Sequence, residues 1–138
     1  MKDSTISDCP VIEMDTRHGE IGNITIIENY EPPLFEVKRI FYIYDVPKGK
    51  ERGNHAHKAL KQLLIALSGS FDVMLDDGSA KQTITLDRPC DGLLIMPGIW
   101  ITLNNFSPNS ACLVLASEKY DETSYIRDYD VFKKYKKL

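Results

Sequence analysis

The stretch Gly49-Lys50-Glu51-Arg52-Gly53-Asn54-His55-Ala56-His57 holds two histidines two residues apart, and an apolar run follows it almost at once. Side chains alternate between the two faces of a β-strand, so His55 and His57 point the same way if the stretch is extended. The run 63–67, closed by Ser68-Gly69-Ser70, is typical of a buried strand that ends in a turn. Polar side chains on a buried strand cost free energy unless they form hydrogen bonds or ion pairs, or take part in binding or catalysis. We therefore expect a functional site at this histidine pair, with two structural histidines as the alternative.

The composition of the whole chain narrows its class. The chain has 138 residues, of which 43% are apolar and 27% charged, as in one soluble globular domain spanning residues 1–138. A net charge of −3 argues against a general nucleic-acid binder. No signal peptide and no membrane-spanning run is evident, and three widely spaced cysteines are typical of a reducing compartment. We expect a cytoplasmic protein that contacts neither nucleic acid nor membrane.

Short strands and turn signals dominate the rest of the chain. The predicted strands are residues 24–28, 36–44, 62–67, 70–75, 81–86, 92–96, 99–104 and 111–117. Turn signals between them include Glu31-Pro32-Pro33 and Asp76-Asp77-Gly78, the second of which predicts a hairpin. Strands at this spacing indicate a sandwich or small barrel, and only residues 126–137 look helical.

The spacing Gly-x5-His-x-His-x4-Gln-x6-Gly, from Gly49 to Gly69, resembles the first motif of the cupin superfamily, whose fold is a jelly-roll barrel. Metal-binding cupins carry a Glu where this chain has Gln62, and the second motif supplies a further histidine. Here Pro97 matches the second motif, but no histidine follows His57. A catalytic metal needs about three suitable protein ligands. We therefore expect no metal and no cofactor, but acid–base chemistry by the histidines.

The side chains around the histidines suit proton transfer next to a carbonyl. A neutral imidazole is a natural general base near pH 7, and the guanidinium of Arg52 suits a phosphate or an enolate oxygen. Tyr42 and Tyr44 share one face of the preceding strand, while Arg39 and Phe41 share the other. A phenol such as that of Tyr42 could donate to an enolate, or the tyrosines could simply pack.

A longer set of residues resembles the sugar-nucleotide 3,4-ketoisomerases of the cupin class, the WxcM-like or FdtA-like family. The stretches that carry the resemblance are residues 37–43, 52–58, 67–70, 76–78, 92–100, 105–107 and, most distinctively, 114–129. Family members often have a histidine directly after the tryptophan and an arginine before the first strand. This chain has Ile101 and Ile21 at those positions.

The resemblance implies a substrate, dTDP-4-keto-6-deoxyglucose, and a product, a dTDP-3-keto-6-deoxyhexose used to make amino sugars. It implies that His55 is the base and His57 its partner, while Arg52 holds the substrate and Tyr42 lies along the sugar. We also expect Arg39, Gln62 and Trp100 to contact the substrate. For Trp100 the alternatives are stacking on the nucleobase or filling the core. The family further implies a homodimer, often with an N-terminal strand exchanged between subunits.

Two other functions remain open at this point. An epimerase acting on a dTDP-4-keto sugar would use the same base and the same enolate, so the chemistry of the residues does not separate the two enzymes. A non-catalytic cupin that binds sugar nucleotides is the alternative from a different class.

Overall fold

Two antiparallel sheets of five strands each and a short hairpin make up the computed structural model, which describes residues 2–30 and 35–137. Sheet 1 has the strand order β1-β9-β6-β11-β4, sheet 2 has the order β12-β5-β10-β7-β8, and β2 pairs with β3. The strands are β1 Val11–Glu13, β2 Thr16–Gly19, β3 Gly22–Thr25, β4 Arg39–Tyr44, β5 Arg52–His57, β6 Gln62–Ser68, β7 Phe71–Asp76, β8 Lys81–Leu86, β9 Asp91–Ile95, β10 Trp100–Asn104, β11 Ala111–Ala116 and β12 Tyr125–Ile126. The predicted jelly-roll cupin fold is confirmed.

Most of the predicted strands are present, with ends shifted by a few residues. The hairpin predicted at Asp77-Gly78 joins β7 to β8, with Asp76 opposite Lys81. Three strands were not predicted (β1, β2 and β12), because runs of two to four residues are too short to show a period. The turn predicted at Glu31-Pro32-Pro33 lies outside the described residues.

Strand β6 shows why an uninterrupted apolar run predicted a buried strand. Leu64 and Ala66 face the core between the sheets, together with Phe71 and Val73. Leu63 and Ile65 face the other way, into a second cluster under Met14 and Phe35. Both faces of this strand are therefore buried, so no polar alternation appears in its sequence.

A single helix, α1 Tyr129–Lys137, covers the outer face of sheet 2. It begins after Asp128, whose carboxylate accepts hydrogen bonds from the backbone N–H groups of Asp130 and Val131 at 2.8 and 3.1 Å. The predicted helix started at residue 126 instead, because the apolar Ile126 fits a helical period although it pairs with Ala56 in the sheet. Within the described part of the chain, no helix has the length and apolarity needed to cross a membrane.

Candidate active site

Strand β5 contains a bulge that sets the direction of the two histidines. Gly53 and Asn54 both have positive φ, at 86° and 61°, and the register against β10 shifts at this point. A Cβ at Gly53 would lie 3.0 Å from the carbonyl oxygen of Ile101, so the position requires glycine on both grounds. Asn54 is held in place because its amide oxygen accepts a hydrogen bond from the Thr102 hydroxyl at 2.9 Å.

Beyond the bulge, β5 sends alternate side chains to opposite faces of sheet 2. Ala56 packs in the cluster under α1, whereas His55 and His57 line a cavity of about 410 Å³ between the sheets. A volume of this size is within the range of small-molecule sites. The residues lining the cavity are Phe41, Ile43, Glu51, Arg52, Gly53, His55, His57, Gln62, Leu64, Ile101, Leu103, Val114, Tyr125 and Arg127. The apolar lining residues belong to the core between the sheets or pack against it. The polar lining residues include both histidines, Gln62 and Tyr125.

The two imidazole rings meet edge to face, with their centroids 4.8 Å apart. Burial lowers the pKa of His55, and the nearby charge of Arg127 lowers it further, while Gly53 and Glu122 act in the opposite direction. His57 is only 4% exposed, and burial, with the charges of His55 and two arginines, lowers its pKa to about 3. Both rings are therefore neutral at pH 7, the state in which an imidazole accepts a proton. His55 is the better base of the two, because it is less buried and its pKa is less depressed.

A second wall of the cavity comes from β12, nearly 70 residues further along the chain. Tyr125 is paired with His57 across the strands, and its ring centroid lies 4.3 Å from that of His57 and 5.0 Å from that of His55. The guanidinium of Arg127 lies 4.4 Å from the centroid of the Tyr125 ring. Neither residue is among the predicted site residues, although both belong to the distinctive stretch 114–129. No local pattern indicates that β12 pairs with β5.

The positive charge of Arg127 is held in a fixed orientation by Glu122. Its guanidinium donates two hydrogen bonds to the Glu122 carboxylate, from Nε at 2.6 Å and from Nη2 at 3.0 Å. Hydrogen bonds from Arg127 and from the Tyr120 hydroxyl lower the pKa of Glu122 to about 2. Arg52 also lines the cavity, and the two guanidinium groups together form a cationic rim suited to an anionic substrate.

The structure brings together four of the predicted site residues: His55, His57, Arg52 and Gln62 all line the cavity. Arg39 does not line it but lies beside it. Its guanidinium carbon is 5.1 Å from the centroid of the Phe41 ring, and its charge contributes to the lowered pKa of His57.

Tyr42 lies outside the cavity, contrary to the expectation that its phenol reaches the sugar. It is 63% exposed on the outer face of β4, where its ring stacks on that of Tyr44 at 5.7 Å. The shared face of the two tyrosines was predicted correctly, but Phe41 and Ile43 occupy the face toward the histidines. Alternation fixes which residues share a face and leaves open which face turns inward.

Trp100 also lies away from the cavity, which favours the core alternative over stacking on a base. Its ring packs against Tyr129 and Phe132, with centroids 5.3 and 5.6 Å away, on the side of sheet 2 that α1 covers. The neighbouring Ile101 takes the place on the cavity side.

Across residues 2–30 and 35–137, no group of three or more His, Cys, Asp or Glu side chains is placed to hold a metal ion. A larger groove of about 880 Å³ shares Glu51 with the cavity and is lined by residues 45–46, 48–51 and 104–110. It contains no histidine, and its ionisable side chains are those of Asp45, Lys48, Lys50 and Glu51.

The sequence of this chain is similar to a known protein family and to a curated enzyme. The family model of FdtA, described as WxcM-like, C-terminal, matches residues 7–137. The chain is 48% identical over 114 residues to the TDP-4-oxo-6-deoxy-alpha-D-glucose-3,4-oxoisomerase of Aneurinibacillus thermoaerophilus, covering 83% of this chain and 82% of that protein.

Solved structures are similar over nearly the whole chain. The sugar 3,4-ketoisomerase QdtA of Thermoanaerobacterium thermosaccharolyticum, in complex with TDP, superposes with a TM-score of 0.93 at 38% identity, covering 96% of this chain and 97% of that one. A mutant of QdtA has been solved with TDP-4-keto-6-deoxyglucose. A 3,4-ketoisomerase from Helicobacter canadensis gives a TM-score of 0.91 at 42% identity, covering 95% of this chain and 98% of that one.

Proposed function

We propose, because the chain belongs to the FdtA-type WxcM-like family, that it is a sugar-nucleotide 3,4-ketoisomerase. It converts dTDP-4-keto-6-deoxyglucose to a dTDP-3-keto-6-deoxyhexose. The observation that carries this proposal is the neutral histidine pair at the wall of a cavity with a cationic rim. Abstraction of a proton next to a carbonyl needs an unprotonated base, which for imidazole is the neutral form, and positive charge suits a diphosphate-linked sugar.

His55 is proposed as the base. It removes the proton from C3 of the sugar, the C3–H electron pair forms the C3–C4 double bond, and the C4 carbonyl becomes an enolate oxygen. The proton is then delivered to C4 while the hydrogen of the C3 hydroxyl passes to the oxygen on C4, which leaves the carbonyl at C3. His57 is the neutral partner ring, and its deep burial favours orienting a sugar hydroxyl over carrying a full positive charge. Gln62 is proposed as a further substrate contact.

Arg52 and Arg127 are proposed to hold the anionic part of the substrate. Both line the cavity, and the bidentate pair with Glu122 keeps the guanidinium of Arg127 oriented before substrate arrives. The same positive charges stabilise negative charge on an enolate oxygen. Tyr42 and Trp100 have no part in this proposal because neither side chain faces the cavity.

We also propose that the protein is a homodimer, with an exchanged N-terminal strand as the family resemblance implies. Exposed apolar side chains on the edge strand β4 support a partner surface there: Ile40, Tyr42 and Tyr44 are 60–63% exposed. Sedimentation equilibrium should give twice the mass of the chain, and a monomer at micromolar concentration would contradict the dimer.

The test of the function is proton NMR of dTDP-4-keto-6-deoxyglucose with the purified protein in D2O. We expect a 3-keto product with deuterium at the carbon that was reprotonated. Deuterium at C5 would instead identify an epimerase. Absence of exchange, with TDP still binding, would identify either a non-catalytic binding protein or an enzyme that uses another sugar nucleotide.

A further inference from the structure

Tyr120 is an exposed tyrosine whose ring and hydroxyl both make specific contacts. It is 60% exposed and lies just before the short 3-10 helix Glu122–Ser124, in the segment that leads from β11 to β12. An exposed side chain without specific contacts can usually be replaced with little effect. Tyr120 instead contacts three residues near the cavity, namely Arg39, Glu122 and Tyr125.

The hydroxyl of Tyr120 is bonded to the carboxylate that orients Arg127. It donates a hydrogen bond to Oε2 of Glu122, and the same oxygen accepts a hydrogen bond from Nη2 of Arg127 at 3.0 Å. Oε1 of Glu122 accepts the other bond of the pair, from Nε of Arg127 at 2.6 Å. Both side chains of this ion pair are about half exposed, at 51% for Arg127 and 53% for Glu122, so the pair alone holds its geometry weakly. The Tyr120 hydroxyl therefore gives the Glu122 carboxylate an additional fixed contact.

The ring of Tyr120 packs on a second arginine, Arg39. The guanidinium carbon of Arg39 lies 5.5 Å from the centroid of the Tyr120 ring and 5.1 Å from that of the Phe41 ring. The Nε atom of Arg39 is buried and makes no hydrogen bond to the described residues. The position of this guanidinium therefore depends on the two aromatic rings.

The register of sheet 1 directs Arg39 to the side of the sheet on which the cavity lies. Arg39 is opposite Ala116 of β11, and Ala116 is opposite Gln62 of β6. Residues directly opposite each other in an antiparallel sheet share a face, and Gln62 lines the cavity. Arg127 lines the cavity too, from the end of β12. Both cations that Tyr120 supports therefore lie next to the space in which the substrate is proposed to bind.

We propose that Tyr120 is a positioning residue for substrate binding, whose hydroxyl holds Arg127 through Glu122 and whose ring holds Arg39. The inference rests on the proposed ketoisomerase function, in which positive charge holds the diphosphate of the substrate. Tyr120 does not line the cavity, so it acts through the two guanidinium groups. Because these groups are held before the substrate arrives, less conformational entropy is lost on binding.

The test removes the hydroxyl and the ring of Tyr120 in turn and measures the Kd for TDP by calorimetry. Tyr120→Phe loses only the hydroxyl, and we expect TDP to bind at least about threefold more weakly. Tyr120→Leu also loses the ring contact with Arg39, and the Kd should rise by a further factor of at least about two. With dTDP-4-keto-6-deoxyglucose, KM should rise in both variants while kcat changes less than about twofold. The urea midpoint of unfolding should stay that of wild type, because the side chain is exposed.

A double-mutant cycle with Arg127→Gln shows whether the hydroxyl acts through Arg127. If it does, adding Tyr120→Phe to the Arg127→Gln protein should leave the Kd for TDP unchanged, because the group that the hydroxyl positions is already gone. Losses that add in the double variant would overturn the positioning role.

Tyr30→Phe is the matched control. Tyr30 is 64% exposed, and its hydroxyl also donates a hydrogen bond to a glutamate, Glu36, at 3.3 Å, so the same oxygen and the same kind of bond are lost. This variant should bind TDP as wild type does.

A Tyr120→Phe protein whose Kd for TDP is less than about threefold above that of wild type would overturn the inference. A Tyr120→Leu protein that binds TDP as well as Tyr120→Phe would remove the ring from it. A fall in kcat at an unchanged KM would also contradict it, because that pattern belongs to a group at the reacting atoms. Failure of the proposed function looks different: the wild-type protein itself would then give no 3-keto product, while its Kd for TDP would still be a reference for the Tyr120 variants.

Discussion

The two faces of strand β5 and its neighbours differ sharply in what their side chains do. On the outer face, Ala56, Trp100 and Ile126 pack under Phe132 of α1, and all four are at most 7% exposed. On the inner face, the residues next to them in sequence (His55, His57, Ile101 and Tyr125) line an open cavity. The outer face contributes stability through apolar burial, and the inner face keeps polar groups without full partners. Substitutions on the two faces should therefore separate stability from activity.

The largest effect on activity is expected from His55→Asn. The change removes the proposed base, so kcat should fall by about 10³-fold or more, while the free energy of unfolding changes by less than about 1 kcal/mol. Turnover and urea denaturation measured on the same preparation check both parts. His18→Asn is the matched control, because His18 is an exposed histidine on β2 bonded to Asn23. Near-normal turnover by His55→Asn would remove His55 from the mechanism.

The reverse pattern is expected from Phe132→Ala on the outer face. Phe132 is fully buried, and its truncation should lower the free energy of unfolding by about 3–5 kcal/mol, through lost burial and a cavity. The kcat of the molecules that remain folded should be close to that of wild type. Val131→Ala, one residue earlier and 53% exposed, should cost less than about 1 kcal/mol. If Phe132→Ala lowered kcat and left the free energy of unfolding unchanged, the outer face would contribute to activity and the proposed division between the two faces would be wrong.

A pH-dependent effect is expected from His57. Its pKa is about 3 in the folded protein and about 6.5 when unfolded, so the unfolded chain binds a proton first as pH falls. Stability should therefore decrease from pH 6.5 toward pH 3, with His57 contributing a few kcal/mol of that loss. In His57→Gln this part of the slope should be missing. Urea denaturation of both proteins across this pH range measures it, and parallel profiles would contradict the assignment.

The smallest effect is expected from Trp100→Phe, which distinguishes a core residue from one that stacks on a base. We expect a loss of about 1–2 kcal/mol in the free energy of unfolding, because the smaller ring fills less of the space beside Tyr129 and Phe132. The Kd for TDP should stay the same. Weaker TDP binding without a loss of stability would place Trp100 in the substrate site after all.

The histidine pair was predictable because its geometry is local. Two residues separated by one share a face of any regular strand. The bulge at Gly53-Asn54 lies before His55, so it changes the direction in which both histidines point but leaves them on the same face. The hairpin at Asp77-Gly78 was predictable for the same reason, since turn chemistry depends on neighbouring residues.

The missing part of the site depends on contacts that no short window of sequence shows. Tyr125 and Arg127 reach the histidines only because β12, two residues long, pairs with the end of β5. The pairing of distant strands depends on how the whole sandwich closes, and a two-residue strand carries no periodic signal of its own.

The sequence by itself determined the strand-rich jelly-roll class, the shared face of His55 and His57 and the family, because these follow from short-range periodicity and ordered motifs. Only the tertiary structure decided which face of each strand turns inward. Phe41 and not Tyr42 faces the histidines, and Ile101 and not Trp100 lines the cavity. The physical reason is that alternation divides a strand into two sets of side chains, and packing against distant strands and α1 selects the set that is enclosed with the site.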